Sequence, residues 1–280
     1  MIIWLASYPK SGNTWVRSII TSLIYSDDGN FNFKLIKKID QFPEKKYFKD
    51  LINNFDDFNT IMKNWILAQD KINLSNEVKL FKTHQGKYTV QNYNFTNNEN
   101  TLATIYIVRD PRNIARSVSN HFSMNIKDSA KFLLSPKVIG NGKNYEEKKD
   151  GIYCLLGKWN DHYRSWTINK KNLLIIKYED LIHDTEKELH RIIEFLKNYL
   201  KFETNINKNK NIINTTNFKN LQNLEIEQGF EDAVINKYTN TKLRFFHLGP
   251  KNKWENSLDN ETRDLIEKNF QKEMLELGYL

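Results

Sequence analysis

Three groups of residues in this chain have the types and spacing to do chemistry. The first is Tyr8-Pro9-Lys10-Ser11-Gly12-Asn13-Thr14-Trp15. A Gly- and Ser-bearing loop that feeds a helix is a phosphate cradle, because its backbone N–H groups and the positive end of the helix dipole converge on one anion. Lys10 adds a mobile charge, Ser11, Asn13 and Thr14 add donors, and Trp15 offers a flat face on which a base could stack. The second group is Lys82 and His84, which close a short apolar run. The third is Arg109, whose planar fork suits an oxyanion, with Ser117 eight residues on. The plain alternatives are an ordinary βα turn with a solvated lysine, a hydrogen-bonded loop histidine and a surface arginine.

The elements that must position these groups follow from periodicity and breakers. Ile2 to Ala6 reads as a strand, Ser7 to Asn13 as a turn, and Thr14 onward as a helix with Val16, Ile19, Ile20, Leu23 and Ile24 on one face. Residues 31–60 suggest short helices and loops, and Ile61 to Lys71 a helix. Val78 to His84 is a strand running into a polar turn, so Lys82 and His84 stand at a carboxyl end, where open parallel sheets gather ligand groups. Leu102 to Val108 is a strand buried on both faces. Asp110 then caps a helix that has Pro111 as its first residue and carries Ser117 two turns in. Gly151 to Ile168 reads as an amphipathic helix, Leu173 to Lys177 as a strand, and 185–197 as a helix with Leu189, Ile192, Ile193 and Leu196 inward. Asn205 to Asn211 reads as a polar loop. A last helix, about 258 to 277, turns Leu258, Leu265, Ile266, Phe270, Met274 and Leu277 inward and ends at Gly278. Residues 123–150 form either a substrate lid or a solvated insertion. No repeat and no domain boundary is evident, so a single domain over 1–280 is expected.

The first group departs from the usual G-x-x-x-x-G-K-[ST] loop, because its lysine precedes its glycine. It resembles the YPKSGTTW loop of the sulfotransferases that use 3′-phosphoadenosine 5′-phosphosulfate (PAPS), matching seven of eight positions with Asn13 as the exception. Lys82-Thr83-His84 is similar to that family's K-T-H element. Arg109 and Ser117 keep the spacing of its 3′-phosphate element, and Tyr178-Glu179-Asp180-Leu181 is similar to its Y-E-D-L. Thr216 and Phe218 stand where its T-S-F element flanks the adenine. Phe245 to Trp254 occupies the place of its R-K-G-x-x-G-x-W loop. There Gly249 and Trp254 match, while His247, Leu248 and Asn252 replace Arg, Lys and the second Gly, and Lys251 and Lys253 are expected to supply the missing charge.

The resemblance implies a P-loop NTPase-like three-layer α/β sandwich with a mainly parallel sheet of four or five strands. It implies transfer of a sulfuryl group from PAPS to an acceptor hydroxyl or amine, with adenosine 3′,5′-bisphosphate (PAP) as product and no metal. In that scheme His84 is the base, and a pKa near 6.5 suits the role. Lys10 steadies the bridging oxygen and Lys82 the transferring group. Ser11, Gly12, Asn13 and Thr14 hold the 5′-phosphate, and Arg109 and Ser117 the 3′-phosphate. Trp15 and Phe218 sandwich the adenine, Tyr178 contacts the nucleotide, and His247, Leu248 and Gly249 close the loop.

Composition narrows the partners. A net charge of +8 over 280 residues favours an anionic ligand. The charge is spread and not gathered into a basic run, so no nucleic-acid partner is expected. The single cysteine, Cys154, excludes an intrachain disulfide and a Cys-based metal cluster, and its apolar setting suggests a buried structural thiol. No run approaches the ~20 apolar residues of a membrane span, and the early first strand argues against a signal peptide, so a cytoplasmic enzyme is expected. The acceptor is a small molecule, carbohydrate or lipid headgroup. The family's short C-terminal dimer motif is not intact, and a homodimer stays open. Two other classes remain: a P-loop-type small-molecule kinase, against which the missing Gly-Lys-Ser/Thr argues, and a catalytically idle nucleotide-binding homologue.

Overall fold

All six residues of the first strand, Ile2–Ser7, are buried, as an unbroken apolar run requires of a strand covered on both faces. The computed structural model describes residues 1–140, 152–236 and 238–280. The sheet contains β1 (Ile2–Ser7), β2 (Asp40–Gln41), β3 (Lys79–Thr83), β4 (Thr101–Val108) and β5 (Leu173–Lys177), in the order β2-β3-β1-β4-β5. β3 and β4 both run parallel to β1, with Ala6 opposite Thr83 on one side and Tyr106 on the other. β2 is parallel to β3 and pairs Gln41 with Lys82. The strand order therefore reverses at β1, the kind of switch point where open α/β sheets take ligands.

The chief helices are α1 (Asn13–Tyr25), α2 (Pro111–His121), α3 (Trp159–Thr167), α4 (Tyr178–His183), α5 (Thr185–Lys197), α6 (Ile206–Thr216), α7 (Phe218–Gln228) and α8 (Asn260–Glu276). The chain divides into two compact units. One gathers Met1–Tyr8, Ile39–Ile107 and Pro136–Ile175, the other Pro9–Lys38, Val108–Ser135 and Ile176–Leu280. Each is assembled from three separated stretches, so no linker or shift in composition marks the division in the sequence.

In the first unit Trp4 of β1 is the hub. Phe42, Phe81, Phe95 and Trp166 surround it at ring distances of 5.4 to 6.1 Å, and its indole N–H donates to Thr101 Oγ1. In the second unit α1 is buried from Asn13 to Leu23, not along one face only. Arg17 is accommodated there because Nε and Nη2 both donate to the Ile36 carbonyl, at 3.0 and 2.8 Å. Asp110 caps α2 by accepting from the Arg112 amide, with Pro111 as first residue. Gly278, at φ 69°, ends α8, and the Tyr279 amide returns to the Met274 carbonyl.

Several expected elements differ. The helix expected over 61–71 is two, Phe58–Lys63 and Trp65–Asn73, divided at Asn64. The Asn64 side chain donates through Nδ2 to the Thr60 carbonyl at 2.9 Å, a local bond that competes with helix continuation. The helix expected from 151 begins only at Trp159. Cys154 and Leu155 instead pair antiparallel with Ile139 and Val138, and Gly157, at φ 68°, interrupts the path. Cys154 is buried as expected, but in a strand. The loop expected at 205–211 is the start of α6, where Asn205 caps by accepting from the Lys208 amide. Leu265 is 39% exposed, not inward. Residues 141–150 of the expected lid or insertion, and Gly151 at the start of the expected helix, lie outside the described residues.

Candidate active site

The phosphate-type loop belongs to the second unit from Pro9 onward. Lys10 (φ 68°) and Gly12 (φ 102°) both take left-handed backbone conformations, and such alternation turns successive amides toward a common anion. Gly12 immediately precedes α1, which has no side-chain cap and no acidic residue in its first turn. The N-terminal turn of an uncapped helix is a place where an anion is favoured. Glycine is required at position 12 on two counts. Its φ disfavours any side chain, and a Cβ there would meet Tyr178 Cδ2 at 2.5 Å.

Tyr178 opens α4 directly after β5, and its ring organises the neighbouring groups. The Arg109 guanidinium, one residue past β4, lies over that ring at 4.0 Å. Arg109 Nη1 donates to the Lys10 carbonyl at 3.2 Å, and Trp15 meets the Tyr178 ring edge-on at 5.7 Å. Lys10, Gly12, Trp15, Arg109 and Tyr178 therefore form one cluster, with Ser11 inside the same loop. Among the described residues, the buried polar atoms Ser11 Oγ, Trp15 Nε1 and Arg109 Nε have no hydrogen-bond partner. Buried donors are rarely left unpaired, and these three suit an anionic, ring-bearing ligand. Ser117 is half-buried on α2.

The expected adenine and closing-loop residues form a second cluster in the same unit. The Phe218 ring occupies the space beside Gly249, where any Cβ would collide with it, and meets Phe246 edge-on at 6.4 Å. Phe218 and Trp15 are thus held by different neighbours. Thr216 is fully buried and its hydroxyl donates to the Ile212 carbonyl at 2.7 Å, a bond spent inside α6. The 245–254 loop is fastened from two sides. Glu225 on α7 accepts from the amides of Phe245 and Phe246, at 2.6 and 2.9 Å. Asn113 on α2 accepts from Asn252 Nδ2 at 2.8 Å through its carbonyl and from the Trp254 amide at 2.9 Å through Oδ1. Asn252 (φ −76°) thus sits in ordinary backbone space, which explains why the family's second glycine is dispensable here.

His247 is exposed, and Leu248 half-buried. Partial desolvation, with the guanidinium groups of Arg116 and Arg244, holds the His247 imidazole below its ordinary pKa. The loop that has lost Arg and Lys thus has two other arginines acting on it. Lys10 lies over the Phe245 ring at 3.9 Å, while Lys251 and Lys253 are exposed.

Lys82 and His84 belong to the first unit. Lys82 is buried near the end of β3. His84 follows β3, and its Nδ1 lies 2.8 Å from the Ser7 carbonyl oxygen and 3.3 Å from Ser7 Oγ. A carbonyl only accepts, so Nδ1 carries the proton and Nε2 is the basic nitrogen of the neutral ring.

Sequence reasoning missed several supports: His162 and Tyr106 behind His84, Asn113 and Glu225 behind the 245–254 loop, and Arg116 and Arg244 beside His247. All but Arg244, three residues before His247, lie far along the chain from what they touch. Only Asn113, inside the Arg109-to-Ser117 segment, had a local signal, as a polar side chain in the first turn of α2.

The sheet order and the strand–loop–helix unit define a P-loop-like α/β protein. A family model for the sulfotransferase domain matches residues 2–278. The chain belongs to that family and is an enzyme of the sulfotransferase class. It is 25% identical to sulfotransferase 2A1 of Macaca fascicularis over 98% of this chain and 84% of the relative. It is 23% identical to the amine sulfotransferase of Oryctolagus cuniculus over 97% of this chain and 80% of the relative. Its fold matches mouse sulfotransferase SULT7A1 complexed with PAP, with TM-score 0.60, 20% identity and coverage of 98% and 84% of the two chains. It also matches retinol dehydratase complexed with androsterone and inactive cofactor PAP, with TM-score 0.59, 17% identity and coverage of 98% and 80%. Among the described residues no helix is long and apolar enough to cross a membrane.

Proposed function

We propose that this enzyme transfers a sulfuryl group from PAPS to the hydroxyl or amine of a small organic acceptor, with His84 as the general base. The observation that carries the reading is the cluster around Gly12. A left-handed loop opens a helix there, and Ser11 Oγ, Trp15 Nε1 and Arg109 Nε have no protein partner beside it. Those residues fit the phosphates and base of an adenosine bisphosphate. Ser11, Gly12, Asn13 and Thr14 would take the 5′-phosphate, and Arg109 with Ser117 the 3′-phosphate. Trp15, Tyr178 and Phe218 would contact the adenine, with His247, Leu248 and Gly249 closing over it.

In-line transfer of an anionic group needs a base for the acceptor proton and cations for the charge that builds on the leaving oxygen. His84 Nε2 is the nitrogen that accepts that proton, because Nδ1–H is committed to Ser7. Lys10 would steady the leaving oxygen and Lys82 the transferring group. Relatives named for hydroxysteroids and amines favour a small alcohol or amine as acceptor.

The test is a thermal-shift titration with PAP, AMP, and ATP plus magnesium. A ligand bound only by the folded state adds RT ln(1 + [L]/Kd), about 2.7 kcal/mol at a hundredfold excess. The expected result is a clear rise in Tm with PAP and little with AMP. A rise with ATP and magnesium alone would favour a kinase, and no rise with any of the three would favour an idle homologue.

A further inference from the structure

The turn that carries His84 is gripped by one face of α3. His162, Ser165 and Trp166 share that face by helical spacing. The Trp166 indole N–H donates to the Gln85 carbonyl at 2.9 Å, and Ser165 Oγ accepts from the Lys87 amide at 3.0 Å. His162 holds His84 itself, with Nε2 3.0 Å from the His84 carbonyl oxygen. Its Nδ1 lies 2.9 Å from the Tyr106 hydroxyl of β4. His162 and Tyr106 are both fully buried.

These partners leave one protonation pattern. The His84 carbonyl can only accept, so His162 Nε2 carries a proton. With the ring neutral, Nδ1 is then an acceptor and the Tyr106 hydroxyl donates to it. Burial favours this neutral ring, pushing the His162 pKa down to about 4, and it keeps the Tyr106 hydroxyl protonated by raising its pKa. A buried histidine with both nitrogens committed is an expensive way to hold one carbonyl. Its location behind the expected base gives it a use.

We propose that His162, seated on Tyr106, is a positioning residue for the reaction. By anchoring the His84 carbonyl it fixes the turn so that His84 keeps Nδ1–H on the Ser7 carbonyl and presents Nε2 as the base. This rests on the reading of His84 as that base.

The experiment compares wild type with His162→Phe, His162→Gln and Tyr106→Phe. It reads kcat, PAP affinity and the tautomer of His84 from the ¹⁵N shifts of the imidazole in the free protein. His162→Phe removes both bonds. It is expected to lower kcat by about tenfold to a hundredfold, the scale of a misplaced catalytic group, with PAP affinity within about twofold. The His84 spectrum should change from Nδ1–H to a mixture of tautomers. Gln can donate to the carbonyl and accept from Tyr106, so His162→Gln should recover most of the rate and the single tautomer. If His162→Phe does not fold, Tyr106→Phe decides, because losing the hydroxyl leaves His162 Nδ1 without its partner, loosens the ring that holds the His84 carbonyl and should lower kcat about threefold or more. Wild-type kcat and an unchanged His84 tautomer in the folded variants would overturn the proposal. If His84→Ala keeps its turnover, the reading of the base fails instead, and the tautomer spectra still decide whether His162 governs the His84 ring.

Discussion

Replacing Gly12 with alanine is expected to damage stability and nucleotide binding by two separable routes. The new Cβ would lie 2.5 Å from Tyr178 Cδ2 and 3.1 Å from Cε2, so the ring must move. Forced overlap in a packed site costs about 1–3 kcal/mol. The backbone at φ 102° costs a further ~1–3 kcal/mol for a residue with a side chain. Together these give a loss of about 2–6 kcal/mol, set against about 5–15 kcal/mol for a typical domain. The displaced ring also removes the platform of the Arg109 guanidinium, 4.0 Å above it. Losing one charge-assisted bond to a phosphate costs about 1.5–3 kcal/mol, a tenfold to hundredfold drop in PAP affinity, at about 1.4 kcal/mol per tenfold. The assay is urea unfolding of wild type, Gly12→Ala, Tyr178→Ala and the double variant, with PAP titrations of each. Tyr178→Ala removes the overlap but not the backbone term. The double-mutant cycle should therefore show a coupling of about 1–3 kcal/mol, with the remaining cost of Gly12→Ala near the backbone term alone. Zero coupling, or a Gly12→Ala protein with wild-type stability and PAP affinity, would refute the reasoning.

Three further outcomes are expected. His84→Ala should lower turnover by about a hundredfold or more, the usual scale for a lost general base, with PAP affinity nearly unchanged; near-normal turnover would reject the assignment. PAP affinity should depend on pH through His247. Its pKa in the free protein lies below the ordinary value, and a bound phosphate raises it. Affinity should therefore be highest at low pH and fall as pH rises through the window between the two values. Calorimetry across pH should find this fall in wild type and lose it in His247→Arg, whose charge is fixed, and equal slopes in the two proteins would exclude His247 as the source. The double variant Lys251→Ala, Lys253→Ala should weaken PAP binding about two- to tenfold, the range for two exposed charge contacts, and unchanged affinity would show that these lysines do not replace the lost Arg and Lys.

Much of the fold was legible where the signal is local. β1, β4 and β5 were read from apolar runs, the cap at Asp110 and Pro111 from residue type, and α5 from its periodicity, with boundaries matching the expected 185–197. Reading failed where a long-range partner overrode the local pattern. Cys154 and Leu155 lie in an apolar run that suits a helix, yet the Leu155 amide donates to Gln85 Oε1 at 2.7 Å, seventy residues away. The Asn- and Lys-rich start of α6 looked like a loop because those residues favour turns, but Asn205 caps it and Ile212 is buried.

The candidate site divides in the same way. The amino-acid sequence by itself determined the order of strand, loop and helix around Gly12, the lysine and histidine at the end of β3, and the spacing of Arg109 and Ser117. Each depends on neighbours a few residues apart, where chain geometry allows little choice. Only the tertiary structure decided that Tyr178 makes position 12 a glycine and that Asn252, at φ −76° and bonded to Asn113, sits in backbone space that needs no glycine. It alone set the proton on His84 Nδ1, through Ser7, and gave that turn its support in His162. Those are contacts between residues 77 to 166 positions apart along the chain. A one-dimensional pattern holds no information on which distant side chain fills a given space, because that choice is made only when the packed chain brings the two together.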